Sequence, residues 1–219
     1  MLTPSNPFAS YGSFGNSVAI SGNVLAVGAF EEDAAVAERA GAVYVFVMSA
    51  ADGFIQTAKL TAPVPTIREK FGVSVAIQNN VLVVGATGDF SGSRVWGSAY
   101  VFEKDPSSDA WLLKSKLTSG DHELFDYFGF AVGIANGVVV VGANGGGLLR
   151  ALPGAVYVFQ KRTSDGAWVR IDKLMAVDGK RDEEFGCAVA THGDMVVTGA
   201  RYERTQGSVH EGAAYIAFI

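Results

Sequence analysis

Phe14-Gly15-Asn16-Ser17-Val18-Ala19-Ile20 returns as Phe71-Gly72-Val73-Ser74-Val75-Ala76-Ile77. It returns twice more, from Phe128-Gly129 to Ile134 and from Phe185-Gly186 to Thr191, always at an interval of 57 residues. A repeat of this length is one structural unit that cannot bury its apolar face alone, so it has to be read before any single element. A second apolar run follows each copy and closes in Gly28-Ala29, Gly85-Ala86, Gly142-Ala143 and Gly199-Ala200. A third begins at Gly41-Ala42-Val43-Tyr44-Val45-Phe46 and is matched by 97–102, 154–159 and 212–217. A fourth, Phe54 to Leu60, is matched by Trp111 to Leu117 and Trp168 to Leu174, each ending in Lys-Leu.

These segments are short and rich in Val, Ile, Tyr and Phe, with Gly, Asn and Asp between them, which is strand chemistry. None keeps helical periodicity over ten or more residues. The first two strands of each copy are separated by two residues: Gly22-Asn23, Asn79-Asn80, Asn136-Gly137 and Gly193-Asp194. Such pairs tolerate the positive φ of type I′ and II′ turns, so each copy opens with a tight hairpin. Four antiparallel strands at this period predict an all-β protein, a β-propeller of four four-stranded blades with repeats beginning near 14, 71, 128 and 185. Residues 1–219 then form one domain of this type. Small residues such as Gly15 and Ala19 suit the innermost strand, where blades crowd together. The Phe of each Phe-Gly pair is expected to be buried between adjacent blades.

The chain has 219 residues, 49% of them apolar, and a formal net charge of −5. No basic stripe is present, which argues against nucleic-acid binding. No apolar run approaches the roughly 20 residues of a membrane helix. The single Cys187 provides neither an intramolecular disulfide nor a Cys-based metal site.

The succession Phe-Gly, Ser-Val-Ala-Ile, Val-Gly-Ala and Gly-Ala-Val-Tyr-Val-Phe resembles the FG-GAP repeat family, best known from the β-propeller head of integrin α subunits. The resemblance covers nearly all of 14–219. It implies a propeller, an adhesion-like interaction role and a place at the cell surface or outside the cell. The sequence itself shows no secretory signal near Met1 and no Asn-x-Ser/Thr sequon, so it is read either as cytosolic or as lacking a signal that lay upstream. The third letter of Gly-Ala-Pro is replaced by Phe30, Thr87, Asn144 and Arg201. Many members bind calcium in an Asp-rich loop between the first two strands. Here that loop is a two-residue turn, which cannot supply roughly 6–8 oxygen ligands. No metal or other cofactor is expected.

Binding residues tend to sit on loops carried by a rigid scaffold. The second-to-third loops (30–40, 87–96, 144–153, 201–211) share a face with the loops entering each Phe-Gly. The candidates there are Glu31, Glu32, Asp33, Asp89, Arg94, Asp121, His122, Asn144, Arg201 and Tyr202. The acidic run 31–33 suits a cation or a basic partner, against the plainer reading of a solvated turn. His122 beside Asp121, Glu123 and Asp126 suits a metal or a general base, again against solvated loops. The triplets before Phe14 and Phe71, Tyr11-Gly12-Ser13 and Arg68-Glu69-Lys70, read as showing that acidity is not shared by all copies. Cys187 holds the slot of Asn16, Val73 and Phe130 and reads as a packing residue.

Three functions remain open at this level. One is a non-catalytic module binding a protein or glycan on the loop face. Another is a hydrolase or lyase with its site in the same loops. The third is a partial propeller of a longer chain. Met1 to Thr3 match the end of a fourth strand, and Ile219 follows the third strand of copy four. An open arc is therefore expected, completed either by further repeats or by a second copy closing an eight-bladed ring.

Overall fold

The computed structural model describes residues 1–4, 12–88, 96–121, 126–145, 153–177, 183–202 and 211–219. Among the described residues, fifteen strands form four antiparallel sheets, each in simple sequence order. Blade 1 holds β1 (Phe14–Ser21), β2 (Val24–Ala29), β3 (Ala42–Ser49) and β4 (Gly53–Leu60). Blade 2 holds β5 (Phe71–Gln78), β6 (Val81–Ala86), β7 (Ser98–Lys104) and β8 (Trp111–Leu117). Blade 3 holds β9 (Phe128–Ala135), β10 (Val138–Ala143), β11 (Ala155–Lys161) and β12 (Trp168–Leu174). Blade 4 has three strands, β13 (Phe185–His192), β14 (Met195–Ala200) and β15 (Ala213–Phe218), and β15 is its outer edge.

The hairpins are as tight as the sequence requires. Ser21 pairs with Val24, Gln78 with Val81, Ala135 with Val138 and His192 with Met195. Positive φ falls on Gly22, Asn79, Asn136, Gly137 and Gly193, the residues that bear it at least cost. These turns leave no loop that could wrap a cation. Adding a calcium chelator is therefore expected to leave the melting temperature unchanged. A fall of several degrees would reveal a metal tied to folding.

The cores lie between blades. Val43 and Val45 on one side of blade 1 join Phe71, Leu82, Val84 and Tyr100 of blade 2. Val83 and Val101 of blade 2 join Phe128, Val139, Val141 and Tyr157 of blade 3. Val140 and Val158 of blade 3 join Phe185 and Val196 of blade 4. Phe71, Phe128 and Phe185 are buried, each with its ring tilted or edge-on against the Tyr of its own blade. Phe14 is only partly buried because no blade precedes it, although it packs on Tyr44 and Phe46. Leu2 joins that cluster, the role that Leu60 and Leu117 play beside Phe71 and Phe128.

The innermost strands run around the arc, β1 against β5, β5 against β9 and β9 against β13. Polar contacts align them. Ser17 Oγ donates to the Gly72 carbonyl at 2.7 Å and Ser74 Oγ to that of Gly129 at 2.8 Å. Backbone N–H groups of the next blade reply, Asn79 to Ser21 Oγ and Asn136 to Gln78 Oε1. Blades 1 and 4 are not packed on one another as successive blades are, and the arc is not closed.

Candidate functional site

The second-to-third loops and the loops entering each Phe-Gly meet on one face. Glu38 O accepts from Arg68 N, Glu69 O from Gly88 N, Asp126 O from Gly145 N and Glu183 O from Tyr202 N. Between these loops every complete blade builds the same stack. The third strand contributes a Tyr, the outer strand a Lys over its ring, and a loop a carboxylate at its hydroxyl.

In blade 1 the Tyr44 hydroxyl donates to Glu32 at 2.8 Å, and Lys59 Nζ pairs with Glu32 while lying 5.4 Å from the Tyr44 ring centroid. In blade 2 the Tyr100 hydroxyl donates to Glu69 Oε1 at 2.7 Å, Thr66 N donates to Glu69 Oε2, and Lys116 lies 5.5 Å from the ring. In blade 3 Asp121 accepts from Tyr157, from Lys173 at 2.7 Å and from Arg170 at 3.0 Å. Glu32 and Glu69 are buried and Asp121 is partly exposed; a carboxylate withdrawn from water persists when hydrogen-bonded or paired, and each of these three is.

Two groups titrate away from their ordinary values as a result. Burial, reinforced by the adjacent Glu32 carboxylate, pushes the Tyr44 phenol well above its usual range. Burial pulls Asp121 upward, but the hydrogen bonds from Lys173, Arg170 and Tyr157 outweigh it and bring the carboxyl down from 3.8 to about 2. A carboxyl depressed in the folded state stabilises the protein above its unfolded pKa and stops doing so as pH falls through its folded one. Stability supplied by Asp121 should therefore disappear between about pH 4 and pH 2. Comparing acid denaturation of the wild type with that of Asp121→Asn tests this. The variant is expected to lose roughly 1–3 kcal/mol at neutral pH and to be less sensitive across that window. Identical acid profiles would refute the assignment.

The candidates read from the sequence fall into three groups. Glu32 is buried beneath Tyr44 and Lys59 rather than solvated, and Asn144 is buried as well. Asp126 is likewise buried rather than a solvated loop residue, and so are Glu183 and Glu184 before Phe185. Glu31 accepts from Ser13 Oγ at 3.0 Å, and Asp33 closes its own loop by accepting from Arg39 N at 2.8 Å. Arg201 pairs with Glu184 at 2.5 Å and lies 5.1 Å from the Tyr202 ring, its side chain half exposed. Asp89, Arg94 and His122 lie outside the described residues, as do Glu123, Asp182 and Tyr11. Among the described residues, no three His, Cys, Asp or Glu side chains come together as a metal site would require. A cavity of about 20 Å³ beside Asp126, Gly145, Tyr157 and Lys173 has room for about one water molecule. A cleft of about 390 Å³ lies at the opposite face, between Asn136, Gln160, Asp194 and Ile219.

Glu69 is the residue that the sequence reading missed. It stands 57 residues before Asp126 and 114 before Glu183, and all three are buried. The interval itself carries the signal. Blade 1 has Gly12 at this position, and Glu32 reaches the same Tyr from the other loop.

The FG-GAP repeat family model matches residues 2–46, 54–102, 111–159 and 168–218. The chain belongs to the FG-GAP repeat family. Each later match starts with the outer strand of one blade and runs through three strands of the next, so an FG-GAP repeat spans two blades. A comparison with the curated proteins found no match. Among solved structures, the FG-GAP chain is similar to Saccharomyces cerevisiae Sqt1, with a TM-score of 0.52 and 12% identity over 87% of this chain and 43% of that one. It thus spans less than half of that structure's length. The WD40 repeats of RRP9 align with a TM-score of 0.41 and 11% identity, over 93% of this chain and 79% of that one.

Proposed function

We propose that this chain is a non-catalytic scaffold whose loop face binds a partner protein. The observation that carries this reading is the engagement of the acidic groups on that face. Glu32, Glu69 and Asp121 each hold the Tyr of their own blade, and Glu32 and Asp121 hold its Lys as well. Acid–base catalysis needs a carboxylate or imidazole within reach of substrate with its proton free to move. These carboxylates are built into the blades instead. Arg201, stacked beside Tyr202 and half exposed, has the character of an interface anchor, since Arg and Tyr are enriched where binding energy concentrates. Family resemblance alone extends the reading to an adhesion-like role outside the cell, as in the integrin α head.

The test is affinity capture with three forms of the protein. Arg201→Glu combined with Tyr202→Ala alters the loop face, and Asn80→Lys alters the opposite turns. A partner lost with the first and kept with the second supports the proposal. A partner indifferent to both, or a glycan bound in its place, overturns it.

A further inference from the structure

The three seams between blades are not equally fastened. In the first, Ser17 Oγ donates to the Gly72 carbonyl, Asn16 Nδ2 donates to that of Val73 at 3.2 Å, and Ser21 Oγ accepts from Asn79 N. In the second, Ser74 Oγ donates to the Gly129 carbonyl and Gln78 Oε1 accepts from Asn136 N. Lys161 of blade 3 also pairs there with Glu103 of blade 2 at 2.7 Å. Among the described residues the third seam has none of these. Its leading strand, β9, reads Phe-Gly-Phe-Ala-Val-Gly-Ile-Ala and holds no polar side chain. Ala131 stands where Ser17 and Ser74 stand, and Ala135 where Ser21 and Gln78 stand. Gln160 and Ile219 take the slots of Glu103 and Lys161.

The acceptor is nevertheless in place. A Cβ on Gly142 would lie 2.0 Å from the Gly186 carbonyl oxygen, as one on Gly85 would lie 2.0 Å from that of Gly129. Beside Gly85 the Ser74 hydroxyl is present too, and beside Gly142 no hydroxyl stands. One backbone bond does cross the third seam, from Phe185 N to the Pro153 carbonyl at 3.3 Å, the counterpart of Phe71 N to Ala40 at 2.9 Å. Two further differences loosen the apolar part of the same seam. Ala19 and Ala76 pack into the first and second cores, but Gly133 holds that slot in β9 and brings no methyl group. Val84 and Val141 pack into those cores as well, but Thr198 holds that slot in β14. Thr198 is 3% exposed, and its hydroxyl has no hydrogen-bond partner. A buried hydroxyl without a partner opposes burial.

We infer that the seam between blades 3 and 4 is a yielding joint, along which blade 4 opens as a unit while blades 1 to 3 stay pinned together. Ala131, Gly133 and Ala135 alternate along β9, so all three share the side turned to blade 4. Thr198 meets them from the other side of the joint. All of these groups lie inside the arc, away from its two outer faces. Where units touch only their neighbours, stability is a sum of unit and seam contributions, and the weakest seam opens first. Arg201 and Tyr202 ride on blade 4, whereas Glu32, Glu69 and Asp121 belong to the pinned blades. Opening therefore moves one part of the loop face against the rest.

Native-state amide hydrogen exchange on the 219-residue chain tests this. The strands to compare are β6 and β14, because each is paired on both sides. Amides of β14 are expected to exchange about tenfold faster than those of β6, or more. Ser74→Ala cuts a pin of the second seam. It should speed exchange in β6 about fivefold and leave β14 unchanged, because the opening of blade 4 does not disturb that seam. Ala131→Ser returns a hydroxyl to the Gly186 carbonyl and should slow β14 about fivefold. Thr198→Val, which removes the unpartnered hydroxyl, should slow β14 as well. Equal wild-type rates in β6 and β14, a Ser74→Ala effect that reaches β14 in full, or β14 rates indifferent to both Ala131→Ser and Thr198→Val would each overturn the inference.

Discussion

Gly142→Ala is expected to unfold the chain, or to destabilise it by about 3 kcal/mol or more. The added methyl would lie 2.0 Å from the Gly186 carbonyl oxygen and 3.0 Å from its carbon. Both are backbone atoms of a paired strand, so no side chain can swing away to relieve the clash. Blades 3 and 4 would have to separate by more than an ångström, breaking the contacts of Val140 and Val158 with Phe185 and Val196. A small domain holds only about 5–15 kcal/mol in reserve, so this loss is a large share. Urea denaturation of Gly142→Ala beside Gly199→Ala makes the comparison internal, since a Cβ on Gly199 meets nothing closer than Cys187 Sγ at 3.4 Å. The same chemical change at equivalent positions should be severe at the first and mild at the second. Equal losses would mean that close approach between blades is not what calls for glycine.

Phe128→Ala is expected to cost about 3–5 kcal/mol. Phe128 is fully buried between blades 2 and 3, its ring 5.3 Å from that of Tyr157 and 6.1 Å from that of Phe159. Its removal leaves a cavity lined by Val83, Val101, Val141 and Tyr157, and the sheets on both sides are too constrained to collapse into it. Phe14→Ala removes the same group from a site with no preceding blade and should cost less than about 2 kcal/mol. Denaturant midpoints of the two variants, with slopes unchanged, check the order. A Phe14 loss equal to that of Phe128 would contradict the placement of the core between blades.

The blades were legible because the repeat presents the same physical problem four times. A two-residue turn can be closed only by residues that bear positive φ, so Asn136-Gly137 and its counterparts mark every hairpin. Val, Tyr and Phe recur wherever a neighbouring blade must be packed. The loop face was harder to read. Triplets such as Arg68-Glu69-Lys70 look like solvated charge, yet Glu69 is buried and its carboxylate accepts from Tyr100, thirty-one residues away. Only the register of 57 connects Glu69 with Asp126 and Glu183. Even that register misses Glu32 and Asp121, which reach their Tyr from other loop positions. The Tyr and Lys are fixed by the strands, while the carboxylate comes from different loop positions in different blades, so no spacing rule specifies it. The asymmetry between Gly142 and Gly199 is also invisible in the sequence. Both end a Val-rich strand before Ala, and only their neighbours tell them apart.

Each FG-GAP repeat after the first begins in the outer strand of one blade and ends in the third strand of the next. No complete blade is therefore encoded by a single repeat, and every seam between successive blades is stitched by continuous chain. A tandem duplication of 57 residues inserts one outer strand and three inner ones together. It delivers a finished blade and a finished seam wherever it lands, with no exposed interior at the join. Chains of this kind can lengthen or shorten by whole blades without passing through an unfoldable intermediate. Inheritance can thus vary the number of blades independently of the design of the blade.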